Sequence, residues 1–333
     1  MKKIGILFGM ENTFPPAVVD KINSMKVDGI TAEFVKVGGV KMADPSGYKV
    51  IIDRISQDIP FYRAYLKNAA LGGTIVVNNP FWWTADDKFF NYALATKLGV
   101  AIPPTVILPH HSHPEGTTDQ SMRNLVYPLN WDEIFAYVGF PAFLKPYAGG
   151  GWKHVYKVHS PEEFFHYYNQ TGDLCMTLQH GVEFEEYYRC YAVGQEKVHV
   201  MKYDPKLPFH ERYVKGNPPP SSAKLHDRIV KDALTLCRAL GYDLNTVEFA
   251  VEDGIPYAID FMNPAPDADI NSVGRDNFEW VVNAVAEMAV KKAQGEENPT
   301  CELRWATFLA GPAEATMPKA APKRRASAKL SAL

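Results

Sequence analysis

The segment from Asn245 to Asp269, NTVEFAVEDGIPYAIDFMNPAPDAD, constrains the fold of this chain more than any other stretch. Residues 247–251 alternate in polarity, Glu252-Asp253-Gly254 can form a turn, and residues 255–261 can return, which is typical of an antiparallel hairpin. Such a hairpin brings Glu248 and Asp260 to the same end, and Asn263 follows at once. Carboxylate and amide oxygens are ligands that suit Mg²⁺, which commonly shares its coordination with phosphates. The stretch predicts a metal and nucleotide site, and a surface hairpin with solvated acids is the alternative.

The composition is that of a globular chain with reduced thiols. Its 333 residues, 46% of them hydrophobic, are enough for two or three domains, and a net charge of -3 gives no reason to expect a nucleic acid or a membrane as partner. The four cysteines have no CxxC spacing, so we expect neither a zinc site nor disulfides, and a cytoplasmic location fits best. The apolar run at residues 4–8 is too short for a signal core or a membrane span, and it predicts a buried first strand.

The first hundred residues have the pattern of an α/β unit. Strand patterns at residues 4–8, 30–37, 50–56 and 74–77 alternate with helical patterns at residues 15–25 and 57–71. This alternation predicts a parallel sheet with functional loops at the carboxyl ends of its strands. Asp53 and Arg54 lie near one such end. We expect them either to form an exposed ion pair or to present Arg54 to a carboxylate substrate.

Two further segments carry lysines beside possible phosphate contacts. In FPAFLKPYAGGG, a strand leads to Lys145 and then to three glycines, whose backbone N–H groups can approach an anion closely. Lys88 follows the predicted capping residues Thr84 and Asp87, at a helix start where the dipole does not favour a cation. A phosphate would explain its position. A plain glycine-rich hairpin and a solvated lysine are the alternatives.

Taken in order, these segments resemble the ATP-grasp superfamily, and within it the glutathione synthetase and RimK-like carboxylate–amine ligases. The resemblance covers about Asn78 to Asp269 and rests on five ordered stretches: NNP, DK with GVAIPPT, FPAFLKP with AGGG, LQHGVEFEEYYRCYAVG, and VEF with AIDFMNP. It implies an α/β pre-ATP-grasp domain at residues 1–100, followed by a two-subdomain α+β ATP-grasp fold. The first subdomain, with the glycine-rich loop, is residues 101–178, and the second, with the adenine hinge and the metal hairpin, is residues 179–312. The basic Ala/Pro-rich tail at residues 313–333 is expected to be disordered.

The resemblance also implies roles for the phosphate-binding residues. Lys88 and Lys145 match the two lysines that contact the phosphates of ATP. The loop that covers these phosphates corresponds to Gly149, Gly150 and Gly151.

The same resemblance places the adenine along the strand that ends near Val182. Backbone groups of His180 and Val182 are expected to bond the base, and Gln179 stands where an acid is common. Arg189 matches the arginine that faces the γ-phosphate or an acyl phosphate. An acid that binds the ribose is expected in the acidic segment between Val182 and Arg189. Glu186 is at the matching position, and Glu183 and Glu185 are the alternatives.

Glu248, Asp260 and Asn263 are expected to hold Mg²⁺, with two ions bridging the phosphates and Mn²⁺ as a substitute. The pattern departs from the family in two ways, because Asp260 and Asn263 are separated by two residues instead of one and an Asp replaces the usual Glu. A β-bulge could restore the geometry. Alternatively, Asp267 or Asp269 ligates in place of Asn263.

The function implied is an ATP-dependent ligase that joins a carboxylate to the amine of an amino acid or small peptide through an acyl phosphate. Lys145 and Arg189 are the expected catalytic residues, and no nucleophilic cysteine is needed, so Cys190 is expected to be a buried strand residue. A non-catalytic ATP-binding regulatory protein and an ATP-grasp kinase are the alternatives. Relatives of this kind are frequently homo-oligomers. Candidates for binding a substrate carboxylate, each with a surface charge as the alternative, are Arg212, Lys215 and Arg275.

Overall fold

The structure is a computed structural model, and it describes residues 1–83, 87–150 and 152–295. Thr84, Gly151, the last of the four cysteines (Cys301) and the tail at residues 313–333, which figure in the sequence predictions, lie outside these ranges. In chain order the elements are β1 (Lys2–Leu7), α1 (Phe14–Ser24), β2 (Ile30–Phe34), β3 (Val50–Asp53), α2 (Pro60–Leu71), β4 (Ile75–Val77), α3 (Pro80–Trp83), α4 (Lys88–Lys97), β5 (Thr105–Leu108), α5 (Trp131–Val138), β6 (Ala142–Pro146), β7 (Tyr156–Val158), α6 (Pro161–Tyr168), β8 (Met176–His180), β9 (Glu186–Val193), β10 (Lys197–Lys202), α7 (Ala223–Leu240), β11 (Leu244–Glu252), β12 (Ile255–Asp260), α8 (Ile270–Val273) and α9 (Arg275–Gln294).

The first sheet is parallel, with the strand order β2-β1-β3-β4. Its residues Ile4 and Ile52 are buried in one core with side chains of α1 and α9. Ile51, on the other face, is buried with Leu66 of α2. The predicted parallel α/β unit is confirmed. Its core is completed by α9, which comes from the far end of the described chain.

The second sheet is antiparallel, with the order β5-β8-β6-β7. Leu144 of β6 and Leu178 of β8 are buried in a core shared with Phe164 of α6 and Val138 of α5. β6 ends at Lys145 and Pro146, directly before the glycine-rich loop. The sheet therefore fixes the base of that loop, as the strand pattern predicted.

The third sheet is antiparallel, with the order β10-β9-β11-β12, and α7 covers one of its faces. The predicted hairpin is confirmed as β11 and β12. Asp253 and Gly254 form its two-residue turn with φ values of 52° and 70°, the left-handed conformation that a tight hairpin turn requires. Such a turn sets the register of the two strands from that end.

The register of this hairpin slips by one residue just before Asp260. Phe249 lies opposite Ala258, but Glu248 lies opposite Asp260, so Ile259 is an extra residue in β12. Side chains alternate between the faces of a strand, so a regular ladder would have placed Asp260 on the face away from Glu248. The bulge puts both carboxylates on one face. It precedes Asp260, whereas the sequence suggested one between Asp260 and Asn263.

Asn78, at the end of β4, connects the first sheet to the hairpin. Its Nδ2 donates to the carbonyl oxygens of Leu244 (2.7 Å) and Pro264 (3.1 Å), and its Oδ1 accepts from the N–H groups of Asp243 and Leu244, each at 2.8 Å. The side chain is buried and both of its polar ends are used. The NNP motif thus fixes the position of the hairpin relative to the first sheet.

Arg54 makes a second connection of this kind, and the exposed ion pair offered as one interpretation is wrong. The residue is 4% exposed, and its guanidinium donates to both carboxylate oxygens of Glu11 (Nε at 3.0 Å, Nη2 at 2.5 Å) and to the carbonyl of Pro266 at 2.6 Å. Asp53 instead accepts from the N–H of Ser56 at 2.9 Å. Arg54 therefore holds the segment after β12 against the first sheet. Within the described ranges, no helix is long and apolar enough to cross a lipid bilayer.

Candidate functional site

The structure brings Glu248, Asp260 and Asn263 together at the end of the hairpin. Glu248 and Asp260 are cross-strand partners, and the Asn263 side chain donates to the carbonyl of Thr246 at 3.0 Å. The backbone N–H of Asn263 is fixed as well, because it donates to Asn245 Oδ1 at 3.0 Å. All three side chains are half-buried. They offer two carboxylates and one amide oxygen, a donor set that fits Mg²⁺.

The alternative ligands Asp267 and Asp269 are occupied elsewhere. Asp267 accepts hydrogen bonds from the Ser272 hydroxyl and the N–H of Asp269. Asp269 caps α8 by accepting from the N–H of Asn271 at 2.8 Å, and its other oxygen accepts from Thr13 at 2.9 Å. Both acids stabilise the start of α8. Among the described residues, no three His, Cys, Asp or Glu side chains form a metal-binding group, so a cation here would need Asn263 and oxygens from a bound molecule.

Glu248 is held at both of its oxygens. The Tyr187 hydroxyl donates to Oε2 at 2.5 Å, and Arg189 Nη1 lies 3.5 Å from Oε1. Burial raises the pKa of Glu248, and the charge of Asp260 acts in the same direction, while Arg189 and the Tyr187 hydrogen bond oppose it. A cation between the two carboxylates would relieve their repulsion. Tyr187 was not predicted from the sequence as a site residue. It lies two positions before Arg189 in a strand, so both side chains lie on one face.

Lys145 reaches the same site from the second sheet. Its ammonium donates to the Tyr92 hydroxyl and to Gln179 Oε1, each at 2.8 Å. Gln179 in turn donates to Thr105 Oγ1 at 2.8 Å, so its amide orientation is fixed. Burial lowers the pKa of Lys145 to about 8, and the charges of Asp260 and Glu248 oppose this shift. Gln179 is therefore a partner of Lys145, and Tyr92 is a further site residue that was not predicted from the sequence.

Lys88 connects α4 to the glycine-rich loop. Its N–H donates to the carbonyl of Tyr147 at 2.9 Å, and its ammonium donates to the carbonyl of Gly149. Burial lowers the pKa of Lys88, and Asp260 opposes the shift. Asp87, the preceding residue, is the N-cap of α4 and accepts from the N–H of Phe90. The predicted capping box with Thr84 is therefore wrong, because Asp87 caps the helix itself.

The glycine-rich loop needs a glycine at Gly149, where φ is 87°. Gly150 has open space where a side chain would begin, so crowding does not explain its identity in this structure. Gly151, the third predicted loop residue, lies outside the described ranges. Gly149 and Gly150 are both exposed, and Lys88 contacts the carbonyl of Gly149, so the backbone here is open to a phosphate.

The predicted adenine hinge is only partly available for bonding a base. The N–H of His180 donates to the carbonyl of Pro104 at 2.9 Å, so the expected bond from this group to a base is not supported. The N–H of Gly181 donates to Pro141 O at 2.7 Å, and a Cβ at Gly181 would lie only 2.9 Å from that oxygen. The hinge is thus bonded closely to the loop before β6. Val182, the second residue predicted to contact the base, lies at the end of the hinge and is half-buried.

Glu186 lies on the face of β9 opposite to Arg189. Side chains alternate along β9, and Glu186 faces α7 with Tyr188, whereas Arg189 faces Glu248. The Glu186 carboxylate accepts from the Tyr188 hydroxyl, from Lys202 Nζ and from the N–H of Ser221, the last two at 3.3 Å. Burial raises the pKa of Glu186, but these hydrogen bonds outweigh it and the pKa is lowered. Glu183 and Glu185, the competitors for ribose, are exposed.

The remaining arginines and cysteines differ in their surroundings. Arg189 also donates from Nη2 to Thr246 Oγ1 at 3.4 Å. Arg212 lies close enough to Glu248 to lower its pKa, whereas Arg275 forms an exposed pair with Glu279. Cys190 is fully buried, and burial raises the pKa of its thiol, as expected for a residue that is not a nucleophile.

Comparison with known proteins gives a clear result for the fold. No family model and no curated protein matches the sequence. Among solved structures, the chain is similar to the VanG D-Ala:D-Ser ligase from Enterococcus faecalis, with a TM-score of 0.61 and 16% identity over 88% of this chain and 99% of that one. It is also similar to the ATP-grasp ligase PsnB in complex with a minimal precursor, with a TM-score of 0.58 and 12% identity over 87% and 99% of the two chains. A D-alanine–D-alanine ligase from Bacillus anthracis in complex with ATP has a TM-score of 0.56 and 15% identity over 88% and 97%. The chain therefore has the fold of the ATP-grasp ligases, as the ordered sequence segments predicted.

Proposed function

We propose that this protein is an ATP-dependent ligase that joins a carboxylate to an amine and releases ADP and phosphate. The observation that carries the proposal is that the charges of Lys145 and of both hairpin carboxylates, Glu248 and Asp260, act on one another, as do those of Lys88 and Asp260, in a chain with this fold. A polyphosphate bound with a divalent cation needs cationic side chains and carboxylates next to each other. A simple anion site would have no use for the carboxylates.

The nucleotide would lie between the second sheet (β5-β8-β6-β7) and the third sheet (β10-β9-β11-β12), next to the start of α4. In this arrangement Lys88, Lys145 and the N–H groups of Gly149 and Gly150 contact the phosphates, and the backbone at Val182 contacts the base. Mg²⁺, held by Glu248, Asp260 and Asn263 as one ion or two, would offset the negative charge of the phosphates. Mn²⁺ has similar ligand preferences and could substitute.

The reaction would proceed in two displacements. A carboxylate oxygen of the first substrate attacks the γ-phosphorus, the bond from that phosphorus to the bridging oxygen breaks, and ADP leaves. The amine of the second substrate then attacks the acyl carbon, the carbon–oxygen bond to phosphate breaks, and the nitrogen loses a proton. Lys145 and Arg189 would stabilise the charge that develops on the phosphoryl oxygens, which is the main contribution proteins make to such transfers.

The substrates are proposed to be amino acids or small peptides. The similar structures include a ligase with a precursor molecule and two ligases named for D-amino acids. Arg212 is the candidate for binding a substrate carboxylate, because its charge acts on Glu248, whereas Lys215 is exposed and Arg275 lies in an exposed pair with Glu279. A guanidinium can bind a carboxylate through two parallel hydrogen bonds.

The test is phosphate release from ATP and Mg²⁺ with amino acids and peptides supplied in pairs. Lys145→Ala and Asp260→Asn are the site variants, and the matched controls are Lys157→Ala, on an exposed position of β7, and Asp253→Asn, in the hairpin turn. Pair-dependent release that is lost in the site variants and kept in the controls would support the ligase.

The other outcomes identify other functions. A stable phosphorylated product from a single substrate would indicate a kinase. ATP binding that needs Lys145 but gives no release with any pair would indicate a nucleotide-binding regulatory protein. Full activity in Asp260→Asn would contradict the proposed metal site.

A further inference from the structure

Tyr187 is the most closely placed partner of the Glu248 carboxylate. It is 7% exposed, and its hydroxyl donates to Oε2 at 2.5 Å while Arg189 approaches the other oxygen. Each oxygen of Glu248 therefore has its own partner, which fixes the plane of the carboxylate. A free carboxylate on a strand could rotate about its terminal bond, because that torsion is broad.

The third sheet dictates this arrangement. Arg189 is directly opposite Glu248, and Tyr187 is opposite Ala250, one pair further along the same face. Ala250 is small, so the Tyr187 ring can lean over it toward Glu248, within the reach of diagonal neighbours in a sheet. No residue between Tyr187 and Arg189 can take this role, because Tyr188 points to the opposite face.

The Tyr187 ring is itself fixed by packing. It contacts Phe184 and Tyr203, with ring centroids 5.1 Å and 5.9 Å away, and it is buried in one cluster with Ala250. The hydroxyl is thus aimed at Glu248 with little side-chain entropy left to lose on binding. A neutral phenol also orients a carboxylate without neutralising it, unlike a second cation, so the full charge stays available to a bound cation.

We propose that Tyr187 is a positioning residue that presets Glu248 for a divalent cation. This inference rests on the proposed function, because it takes Glu248 as a metal ligand. Partners that orient a metal ligand typically contribute about 10- to 100-fold to metal affinity. Arg189 contributes to the same orientation but also faces the reacting groups in the proposed mechanism, so Tyr187 is the residue that isolates the positioning effect.

The experiment is a titration of Mn²⁺ in the presence of ADP, followed by the electron paramagnetic resonance signal of free Mn²⁺. Tyr187→Phe removes one hydroxyl and keeps the ring. The matched control is Tyr188→Phe, which removes a phenol–carboxylate hydrogen bond of the same kind, to Glu186, on the other face of the same strand. Glu248→Gln tests the ligand itself, and thermal unfolding of each variant reports stability separately.

We expect Tyr187→Phe to weaken Mn²⁺ affinity by about 10- to 100-fold. Tyr188→Phe should retain the wild-type affinity. In a turnover assay, Tyr187→Phe should raise the Mg²⁺ concentration needed for half-maximal rate while leaving the rate at saturating Mg²⁺ nearly unchanged. A purely structural role would instead lower thermal stability and leave the metal dependence where it was.

The results distinguish a failure of the positioning role from a failure of the proposed metal site. Wild-type affinity in Tyr187→Phe together with loss in Glu248→Gln would overturn the positioning role and leave the proposed function standing. Wild-type affinity in Glu248→Gln would overturn the metal site, and the positioning role with it. Equal losses in Tyr187→Phe and Tyr188→Phe would also overturn the proposal, since the effect would not depend on contact with Glu248.

Discussion

Gln179→Glu changes the charge next to Lys145 while keeping the shape of the side chain. In the wild-type protein, Gln179 Oε1 accepts from the Lys145 ammonium at 2.8 Å, and the amide nitrogen donates to Thr105. A glutamate can keep the contact with Lys145. Its second oxygen would face Thr105 Oγ1, whose proton is donated to the carbonyl of Pro103 at 2.8 Å, so the hydroxyl would have to give up that bond in order to donate to the glutamate. The substitution therefore places a carboxylate against an ammonium whose pKa is lowered by burial to about 8.

The size of the effect follows from the distance. Two unit charges about 4 Å apart attract by about 4 kcal/mol at an effective dielectric constant of about 20. This corresponds to about 3 pKa units at about 1.4 kcal/mol for each unit. Taking a carboxylate out of water opposes part of this gain, so we expect the pKa of Lys145 to rise by about 1 to 3 units.

The assay is the affinity for ATP and Mg²⁺, measured by calorimetry from neutral to alkaline pH. In the wild-type protein, affinity should begin to fall as the pH rises through about 8, because the free protein then loses the Lys145 proton. In Gln179→Glu the fall should begin at higher pH. The affinity at neutral pH should also be lower, because the new carboxylate neutralises the ammonium.

Two further variants identify the titrating group. Lys145→Met should remove the pH dependence in this range, and Gln120→Glu, the same charge change at an exposed position, should behave like the wild type. If Gln179→Glu loses affinity at the same pH as the wild type, then Lys145 is not the titrating group, and the assignment of its environment is wrong.

Three other substitutions test particular contacts. Gly181→Ala should lower stability by about 1–3 kcal/mol in chemical denaturation, because its Cβ would lie 2.9 Å from Pro141 O, whereas Gly150→Ala should not. Glu186→Gln should leave the affinity for ATP unchanged in calorimetry, since the carboxylate faces α7, and a marked loss would show that it does bind ribose. Arg54→Met should lower the free energy of unfolding by about 2–3 kcal/mol. Breaking a fully buried ion pair costs about 3–5 kcal/mol, and the cost is smaller here because the carboxylate of Glu11 is partly exposed. An unchanged denaturation midpoint would contradict this prediction.

Local signals in the sequence were sufficient for the hairpin and for the first sheet. Asp253-Gly254 has the turn chemistry that a two-residue hairpin loop requires, and the apolar runs near Ile4 and Ile51 are typical of buried parallel strands. These features depend on neighbours along the chain. The prediction that Glu248 and Asp260 lie at the same end of the hairpin was confirmed for the same reason, but the two carboxylates share a face because of the bulge at Ile259, which the local pattern did not indicate.

Other parts of the site depend on register and on distant elements, which leave little trace in the sequence. Whether Glu186 or Tyr187 faces Glu248 is decided by parity along β9, which a match to a family position does not reveal. Tyr92 reaches Lys145 from a helix in another part of the chain. The helical pattern predicts that the Tyr92 ring is buried, but it does not predict that the Tyr92 hydroxyl accepts a hydrogen bond from the Lys145 ammonium.

The charges of the site are arranged at a cost to stability that a bound nucleotide would relieve. Burial lowers the pKa of Lys88 and Lys145 and raises that of Glu248, so each of these groups is less favourably charged than it would be in water. The lysines are not paired directly with the carboxylates, since Lys145 donates to neutral oxygens and Lys88 to a backbone carbonyl.

A ligand with anionic oxygens toward the lysines and a cation toward the carboxylates satisfies both sets at once. Such a ligand, at 100 times its dissociation constant, would stabilise the folded protein by about 2.7 kcal/mol. Because either half of the ligand alone leaves the other set unsatisfied, ATP and Mg²⁺ together should raise the unfolding temperature by more than the sum of their separate effects.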